Sequence, residues 1–282
     1  TPQSRGISLS LVALAYLVAG AAALAIGFGF EDLSPLWRAA LADGVATVVV
    51  FAFSILYNNS STYDPYWSLA PIPVVIYWGL SDPAVDPWRF ALLAGLVGLW
   101  GLRLTWNWAS GWPGLHHEDW RYVDFRNNTG KAYWLVSFAG IHGFPSLIVF
   151  GGLLAAWVAL TQATQPLNWL DGLAAAVTLI AILMETLSDR QLHRHIRSAD
   201  FRPGQTFNKG LWKYSRHPNY FGEVTFWWGL GLFAVAAAPE QWWALAGALA
   251  MTSMFLFISI PMIDRRMLAR RQDYARRMET TS

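Results

Sequence analysis

The sequence predicts an all-α fold, a polytopic membrane helix bundle of seven to eight transmembrane helices, and three observations predict it. The 282 residues are 55% hydrophobic and only 13% charged, whereas a soluble domain carries roughly a quarter charged residues. Uncharged segments recur that are long enough to cross a hydrocarbon layer of about 30 Å at about 1.5 Å per residue. Lys and Arg cluster between alternate pairs of those segments, as short cytoplasmic loops do. This composition excludes a water-soluble single domain. The chain has no Cys, which removes disulfides, thiol nucleophiles, iron–sulfur clusters and cysteine zinc sites. Chemistry therefore falls to carboxylates, His, Tyr, Asn, Arg or a bound cofactor.

Residues 7–29 run without a charge and form the first span. The small residues from Ala21 to Ala25 imitate a signal-peptide cleavage site, but the apolar run is long for a signal. Further apolar segments lie at 37–57, 67–80, 89–109, 133–160, 168–187, 219–238 and 241–263. The 67–80 segment contains Pro71 and Pro73 and is too short to cross untilted. It is expected to start deeper, or to pair with its neighbour around a non-helical turn lining a cavity. With both ends in the cytoplasm, Arg5, residues 110–132, residues 188–218 and the tail after 263 hold 17 of the 20 Lys and Arg residues. Arg38 and Arg89 begin spans on the outer side, and Arg103 lies inside one. No internal repeat or low-complexity tract is present, so 1–282 is predicted to be a single domain.

The polar chemistry concentrates in 185–223. Glu185, Asp189, His193 and Arg197 are spaced by four and fall on one helical stripe. Such a stripe can hold a polar ligand, or it can be a solvated helix end with internal ion pairs. Ionisable residues at membrane depth favour a cavity. In the run Arg216-His217-Pro218-Asn219-Tyr220-Phe221-Gly222-Glu223, Pro218 suits a first helical turn and presents His217 at its start. Asn219 and Glu223 then share a face. A helix N-terminus beside Arg216 and other basic residues makes a phosphate site, with contact to anionic lipid headgroups as the competing reading.

The loop from Tyr57 to Trp67 is polar and aromatic and contains no Lys or Arg. Asp64 before Pro65 reads either as a helix N-cap or as a buried acid, whose proton affinity rises with desolvation. Arg103 and His142 lie within spans. His116-His117-Glu118-Asp119 offers no third ligand on one helix face, so no metal is expected. No dinucleotide fingerprint or phosphate loop is present.

These residues resemble the membrane-embedded steroid 5α-reductase family, in particular its bacterial branch. The likeness rests on Gly210-Leu-Trp-Lys-Tyr-Ser-Arg-His-Pro-Asn-Tyr-Phe-Gly-Glu223, on Asp189 upstream, on the Tyr-Asp-Pro-Tyr-Trp loop and on the tail with Gln272-Asp273-Tyr274. It spans about residues 57–277. Isoprenylcysteine carboxyl methyltransferases and sterol reductases have similar Arg-His-Pro-x-Tyr…Glu segments. The resemblance implies an integral inner-membrane enzyme with cytoplasmic termini, which uses NADPH to reduce the C=C bond conjugated to a 3-ketone in a steroid-like lipid drawn from the bilayer. It places the cofactor-binding half at about 185–282. Asp189, Asn219 and Glu223 match residues that hold the cofactor, with Glu185, His193, Arg197, Asn208, Lys209, Tyr214, Arg216, His217 and Tyr220 as neighbours. Arg265, Arg266 and Arg270 match a segment that closes over the phosphates.

Asp64 falls where the family has a Glu that hydrogen-bonds the substrate ketone. The family's ketone-contacting Tyr falls near Trp100, which has no phenol, so Tyr63, Tyr66 or Asn58 has to substitute. Trp67, Trp100 and Arg103 are expected around the substrate. The expected partners are the lipid substrate and membrane lipids, with no nucleic acid and no obligate protein. The alternatives are an S-adenosylmethionine-dependent methyltransferase using the same segment, and a non-catalytic sterol or lipid binder. A transporter predicts inverted repeats with broken helices in matching halves, which the sequence does not show.

Overall fold

A computed structural model describes residues 4–199 and 201–281. Among these residues every regular element is helical: α1 (Arg5–Gly29), α2 (Pro35–Leu56), α3 (Tyr66–Leu69), α4 (Pro71–Leu80), α5 (Pro87–Gly111), α6 (Trp120–Thr129), α7 (Tyr133–Val136), α8 (Phe144–Thr161), α9 (Trp169–Ile196), α10 (Pro218–Ala237), α11 (Ala246–Met254), α12 (Ile260–Arg270) and α13 (Tyr274–Thr280). The boundaries follow local chemistry. Pro occupies the first turn of α2, α4, α5 and α10, where its missing N–H removes no helical bond. Asp86 accepts from the backbone of Trp88 and Arg89 to start α5, and Asn168 with Asp171 forms a capping box on α9.

Six helical stretches are long and apolar enough to cross a membrane: Arg5–Gly29, Pro35–Leu56, Pro87–Gly111, Trp120–Thr161, Trp169–Ile196 and Pro239–Arg270. This is the build of a multi-pass membrane protein. Two of the eight segments expected from the sequence are not among them. The 67–80 segment divides into α3 and the ten-residue α4, because Pro71 and Pro73 interrupt the helical hydrogen bonds. The 219–238 segment is helical as α10, but Asn219, Tyr220 and Glu223 in its first turns lower its hydropathy.

The chain divides into two compact units, residues up to Leu153 and residues from Leu154. In the first unit, α1 packs along α2, and Ala19, Ala46, Val50, Tyr63, Tyr66, Tyr122 and Ile141 form a buried cluster. Gly101 lets α5 approach α3 so closely that a Cβ there would collide with the Ser68 carbonyl. In the second unit, α9 and α10 pack intimately at Gly222 and Gly229. A Cβ on Gly222 would lie 2.9 Å from the Ala181 carbonyl oxygen, and one on Gly229 would collide with Thr178. Outward-facing Leu17, Phe28, Trp106, Leu147 and Phe257 are strongly exposed, as a lipid-facing surface requires.

Candidate functional site

In the first unit the polar loop after α2 is buried. Asn58 ends α2 with a left-handed backbone, φ +50°, which Asn tolerates better than most residues. Asn59 Oδ1 accepts from Ser61 N at 2.8 Å and starts a 3₁₀ turn over Ser60–Tyr63. Neighbouring helices supply the partners that buried hydroxyls require. Ser60 Oγ pairs with Tyr133 OH at 2.7 Å and Ser137 Oγ at 2.9 Å. Thr62 Oγ1 pairs with Ser54 Oγ at 2.6 Å, and Ser54 in turn with His142 Nε2 at 2.9 Å.

Asp64 is not a helix N-cap: it closes the 3₁₀ turn over Ser60–Tyr63, and Pro65 holds the N-cap position of α3 without a side-chain bond. Its Oδ1 accepts from Tyr122 OH at 2.5 Å. Burial pushes its carboxyl up to about 7; the Arg121 guanidinium opposes this, the Asp119 carboxylate adds to it, and the Tyr122 hydrogen bond lowers it. Tyr63 OH meets Ser146 Oγ at 2.8 Å. Tyr66 OH donates to Asp43 Oδ1 at 3.1 Å and receives Thr47 Oγ1 at 3.4 Å.

Tyr66 and Asp43 lie on the wall of a cavity of about 570 Å³, lined also by α1 residues such as Tyr16, Ala19 and Ala23, α2 residues such as Ala39 and Ala46, Pro73 and Val74 of α4, and the charged Glu31 and Arg38. That volume lies within the range of about 300–1,000 Å³ typical of lipid- and drug-sized ligands. Tyr63, Asp64, Trp67, Trp100 and Arg103 do not line this cavity. Trp67 packs edge-on against the fully buried Trp100, ring centroids 5.7 Å apart, and Arg103 sits half-buried on α5. Asn58 is exposed and accepts from Arg126 at 3.0 Å.

In the second unit Pro218 takes the first position of α10 and His217 its N-cap. Here a cavity of about 190 Å³ is lined by Leu192, Thr206, Phe207, Trp212, Arg216, His217, Asn219, Tyr220, Ile263, Met267, Arg271, Tyr274 and Arg277. Its organiser is Asp264 of α12, which is buried. One carboxylate oxygen accepts from His217 Nε2 at 2.8 Å and the other from Arg216 Nη2 at 3.1 Å. Tyr274 OH also donates to Asp264. Burial holds the His217 imidazole below its usual range, although the Asp264 carboxylate pulls it up. Burial and the same carboxylate push the Tyr274 phenol up, so it remains a donor.

Of the residues expected to hold a cofactor, the fold brings Arg216, His217, Asn219 and Tyr220 together on this cavity. Glu185 and Glu223 are buried on α9 and α10, with Trp227 Nε1 donating to Glu223 Oε1 at 2.8 Å. Asp189 and Arg266 are half-buried, whereas His193, Arg197, Asn208, Lys209, Tyr214, Arg265 and Arg270 are exposed. Sequence reasoning missed Asp43 and Asp264. Each is an acid inside an otherwise apolar or basic stretch, and the cost of burying a carboxyl at that depth was the available signal.

Residues 50–281 match the family described as "Protein of unknown function (DUF1295)". A relative from Schizosaccharomyces pombe (strain 972 / ATCC 24843), named "Uncharacterized protein C594.04c", is 26% identical over 232 residues, covering 73% of this chain and 67% of that protein. No solved structure matches the chain. The family match begins within α2 and takes in the buried loop, the α9–α10 segment and the basic tail, and the chain therefore belongs to the DUF1295 family.

Proposed function

We propose that this protein is a membrane-embedded, NADPH-dependent reductase of the C=C bond conjugated to a ketone in a flat, steroid-like lipid. The observation that carries the proposal is the lipid-sized, mostly apolar cavity with the Tyr66 phenol and the Asp43 carboxyl on its wall, Tyr66 standing two residues along the chain from Asp64, whose carboxyl is raised to about 7. An apolar pocket with few convergent polar groups orients a lipid by its one polar end.

In this reading the lipid lies against α1, α2 and α4, with its ketone toward the Tyr63–Tyr66 turn. Asp64 is not on the cavity wall; in this reading the ketone reaches past Tyr66 to it, and its carboxyl, partly protonated at neutral pH, donates a hydrogen bond to the carbonyl oxygen. The Tyr66 phenol, which gives its one proton to Asp43 in the unliganded protein, turns that proton to the carbonyl oxygen as the second donor. Both interactions strengthen as negative charge develops on that oxygen, which is where an electrostatic contribution accelerates the reaction. The Asp64 proton is available to the enolate as the α carbon completes. The apolar wall excludes water that would compete for these donors. NADPH, when bound, supplies the hydride taken up by the β carbon.

The second unit fits part of such a cofactor. Its cavity presents Asn219, Tyr220, His217 and Arg216, and Arg216 Nε is buried without a hydrogen-bond partner. Arg197, Lys209, Arg265 and Arg270 are exposed and supply positive charge for phosphates. In the same reading α10 is a seventh crossing, α3 with α4 forms the short eighth segment, and both termini face the cytoplasm of a bacterial inner membrane. The test is NADPH consumption by the detergent-purified protein with a 3-keto-4-ene steroid, against NADH and S-adenosylmethionine as ligands in thermal unfolding. A stability shift with S-adenosylmethionine alone sinks the reductase reading.

A further inference from the structure

Behind the polar end of the first unit's cavity runs a chain of hydroxyl groups to which the proposed reaction gives no role. Tyr63 OH lies 2.8 Å from Ser146 Oγ, Ser146 Oγ 3.1 Å from Thr47 Oγ1, and Thr47 Oγ1 3.4 Å from Tyr66 OH. Tyr66 OH ends the chain on Asp43, 3.1 Å from Oδ1 and 3.3 Å from the backbone carbonyl oxygen. The four hydroxyl residues are buried. They come from the Ser60–Tyr63 turn, α8, α2 and α3, so only the tertiary fold joins them. Of the four, Tyr66 alone lines the cavity.

Each hydroxyl has one proton to give, and that count fixes the direction of the chain. Tyr66 gives its proton to Asp43, so its oxygen meets Thr47 as an acceptor and Thr47 is the donor. With that proton spent, Thr47 accepts from Ser146, and Ser146 in turn accepts from Tyr63. Burial pushes the Tyr63 phenol up, so the first donor keeps its proton. Every proton in the chain therefore points from the interior toward the cavity wall. The Thr47 proton occupies the inner side of the Tyr66 oxygen, which leaves the phenol's own O–H directed at the cavity. Hydroxyls linked in one direction also polarise one another, by roughly 10–30% per bond, and this strengthens the last donor.

We propose that Tyr63, Ser146 and Thr47 are positioning residues for the ketone site, a one-way hydroxyl chain that holds Tyr66 as a donor into the cavity. The proposal rests on the reductase reading for the ketone itself. It gives Tyr63, which does not reach the cavity, an effect on the reaction through Tyr66. The longest link, Thr47 to Tyr66 at 3.4 Å, is the one that tightens as the ketone takes the Tyr66 proton, because catalytic hydrogen bonds shorten in the complex. The experiment uses the detergent-purified full chain and a 3-keto-4-ene steroid with an isotope label on the ketone carbon. Infrared difference spectroscopy reads the C=O stretch of the bound steroid without cofactor, and NADPH oxidation gives kcat and KM. In the unaltered protein the bound band should lie below its position in hydrocarbon, since donation to the oxygen weakens the C=O bond. Thr47→Val, Ser146→Ala and Tyr63→Phe should each move the band back toward that position. Each should lower kcat by about three- to tenfold, the scale of one hydrogen bond, with a smaller change in KM. Thr47→Ser keeps the hydroxyl and should behave as the unaltered protein. Tyr63→Phe added to Thr47→Val should cost nothing further, because Thr47 stands between Tyr63 and Tyr66; if Thr47→Val does not fold, Tyr63→Phe added to Ser146→Ala carries the same test.

A carbonyl band unmoved by these variants overturns the proposal, as do losses that add in the double variant. NADPH oxidation with such an unresponsive band refutes the chain and keeps the reductase. A bound steroid whose band responds to the variants, without NADPH oxidation, refutes the reductase reading and keeps the chain. A steroid that does not bind refutes both.

Discussion

Asp64 is the residue whose proton the proposed reaction uses, and its protonation state can be titrated. Its carboxyl is raised from an ordinary 3.8 to about 7, first by burial, with Arg121 opposing. A group with that affinity is about nine-tenths protonated at pH 6, half at pH 7 and one-tenth at pH 8. If the protonated form is the working acid, kcat/KM should fall about tenfold per pH unit above neutrality. Asp64→Asn keeps a donor of similar shape but no transferable proton, so turnover should drop by at least about tenfold and the remaining activity should lose this limb.

Stability gives an independent reading with a definite sign. Between about pH 4 and 7 the folded state holds a proton on Asp64 that the unfolded chain has released. Its stabilising effect is full below the unfolded pKa and is lost as pH rises through the folded one. The rise from 3.8 to about 7 sets an upper limit of about 4 kcal/mol at roughly 1.4 kcal/mol per pH unit. Asp64 is only partly buried, and water at the exposed edge reduces this toward half. The assay is infrared difference spectroscopy of the protonated carboxyl band across pH 5–9, with Asp64→Asn as the subtraction, paired with chemical unfolding in detergent. An Asp64 band already absent at pH 6, or a pH–stability slope unchanged in Asp64→Asn, refutes the reasoning.

Gly222→Ala should destabilise by about 1–3 kcal/mol, because the new Cβ would lie 2.9 Å from the backbone oxygen of Ala181 and backbone cannot swing aside. Gly95→Ala in α5, with nothing within 4 Å of its Cβ, should be neutral or stabilise by up to about 1 kcal/mol; denaturant midpoints of the two variants compare them. Asp264→Asn should strip about 3–5 kcal/mol from the Arg216–His217–Tyr274 junction and speed amide hydrogen exchange across α13, while α1 and α2 exchange unchanged. Ala42→Phe places a ring in the cavity between α1, α2 and α4 and should raise KM for a lipid substrate at least about tenfold, with the NADPH-induced shift in Tm intact.

The membrane class was legible because it depends on composition and run length, which local sequence carries directly. The start of α10 was legible for the same reason: Pro218 and His217 act through backbone geometry within a few residues. The count of crossings was less so. The 67–80 segment has the hydropathy of a span, but Pro71 and Pro73 divide it, and the loop before it folds into the unit instead of lying at the surface. Asp64 stood out as a polar exception in that loop, yet its competing reading as a cap was settled only by where its oxygens point, to Tyr122, 58 positions away in the chain.

The sequence by itself determined an all-helical membrane chain, the polar loop after α2 and the basic segment leading into α10. Hydrophobic run length and proline geometry are local properties, and no partner is needed to express them. Tertiary structure decided which polar groups face a cavity and which are consumed within the protein. Asp43 became a cavity residue only when Tyr66 folded onto it, and Arg216 was tied within the chain only when Asp264 of α12 and the Thr281 carbonyl beyond α13 came to its guanidinium. A charge in sequence is a capacity, and whether a ligand can use it depends on the acceptors that packing has already placed against it.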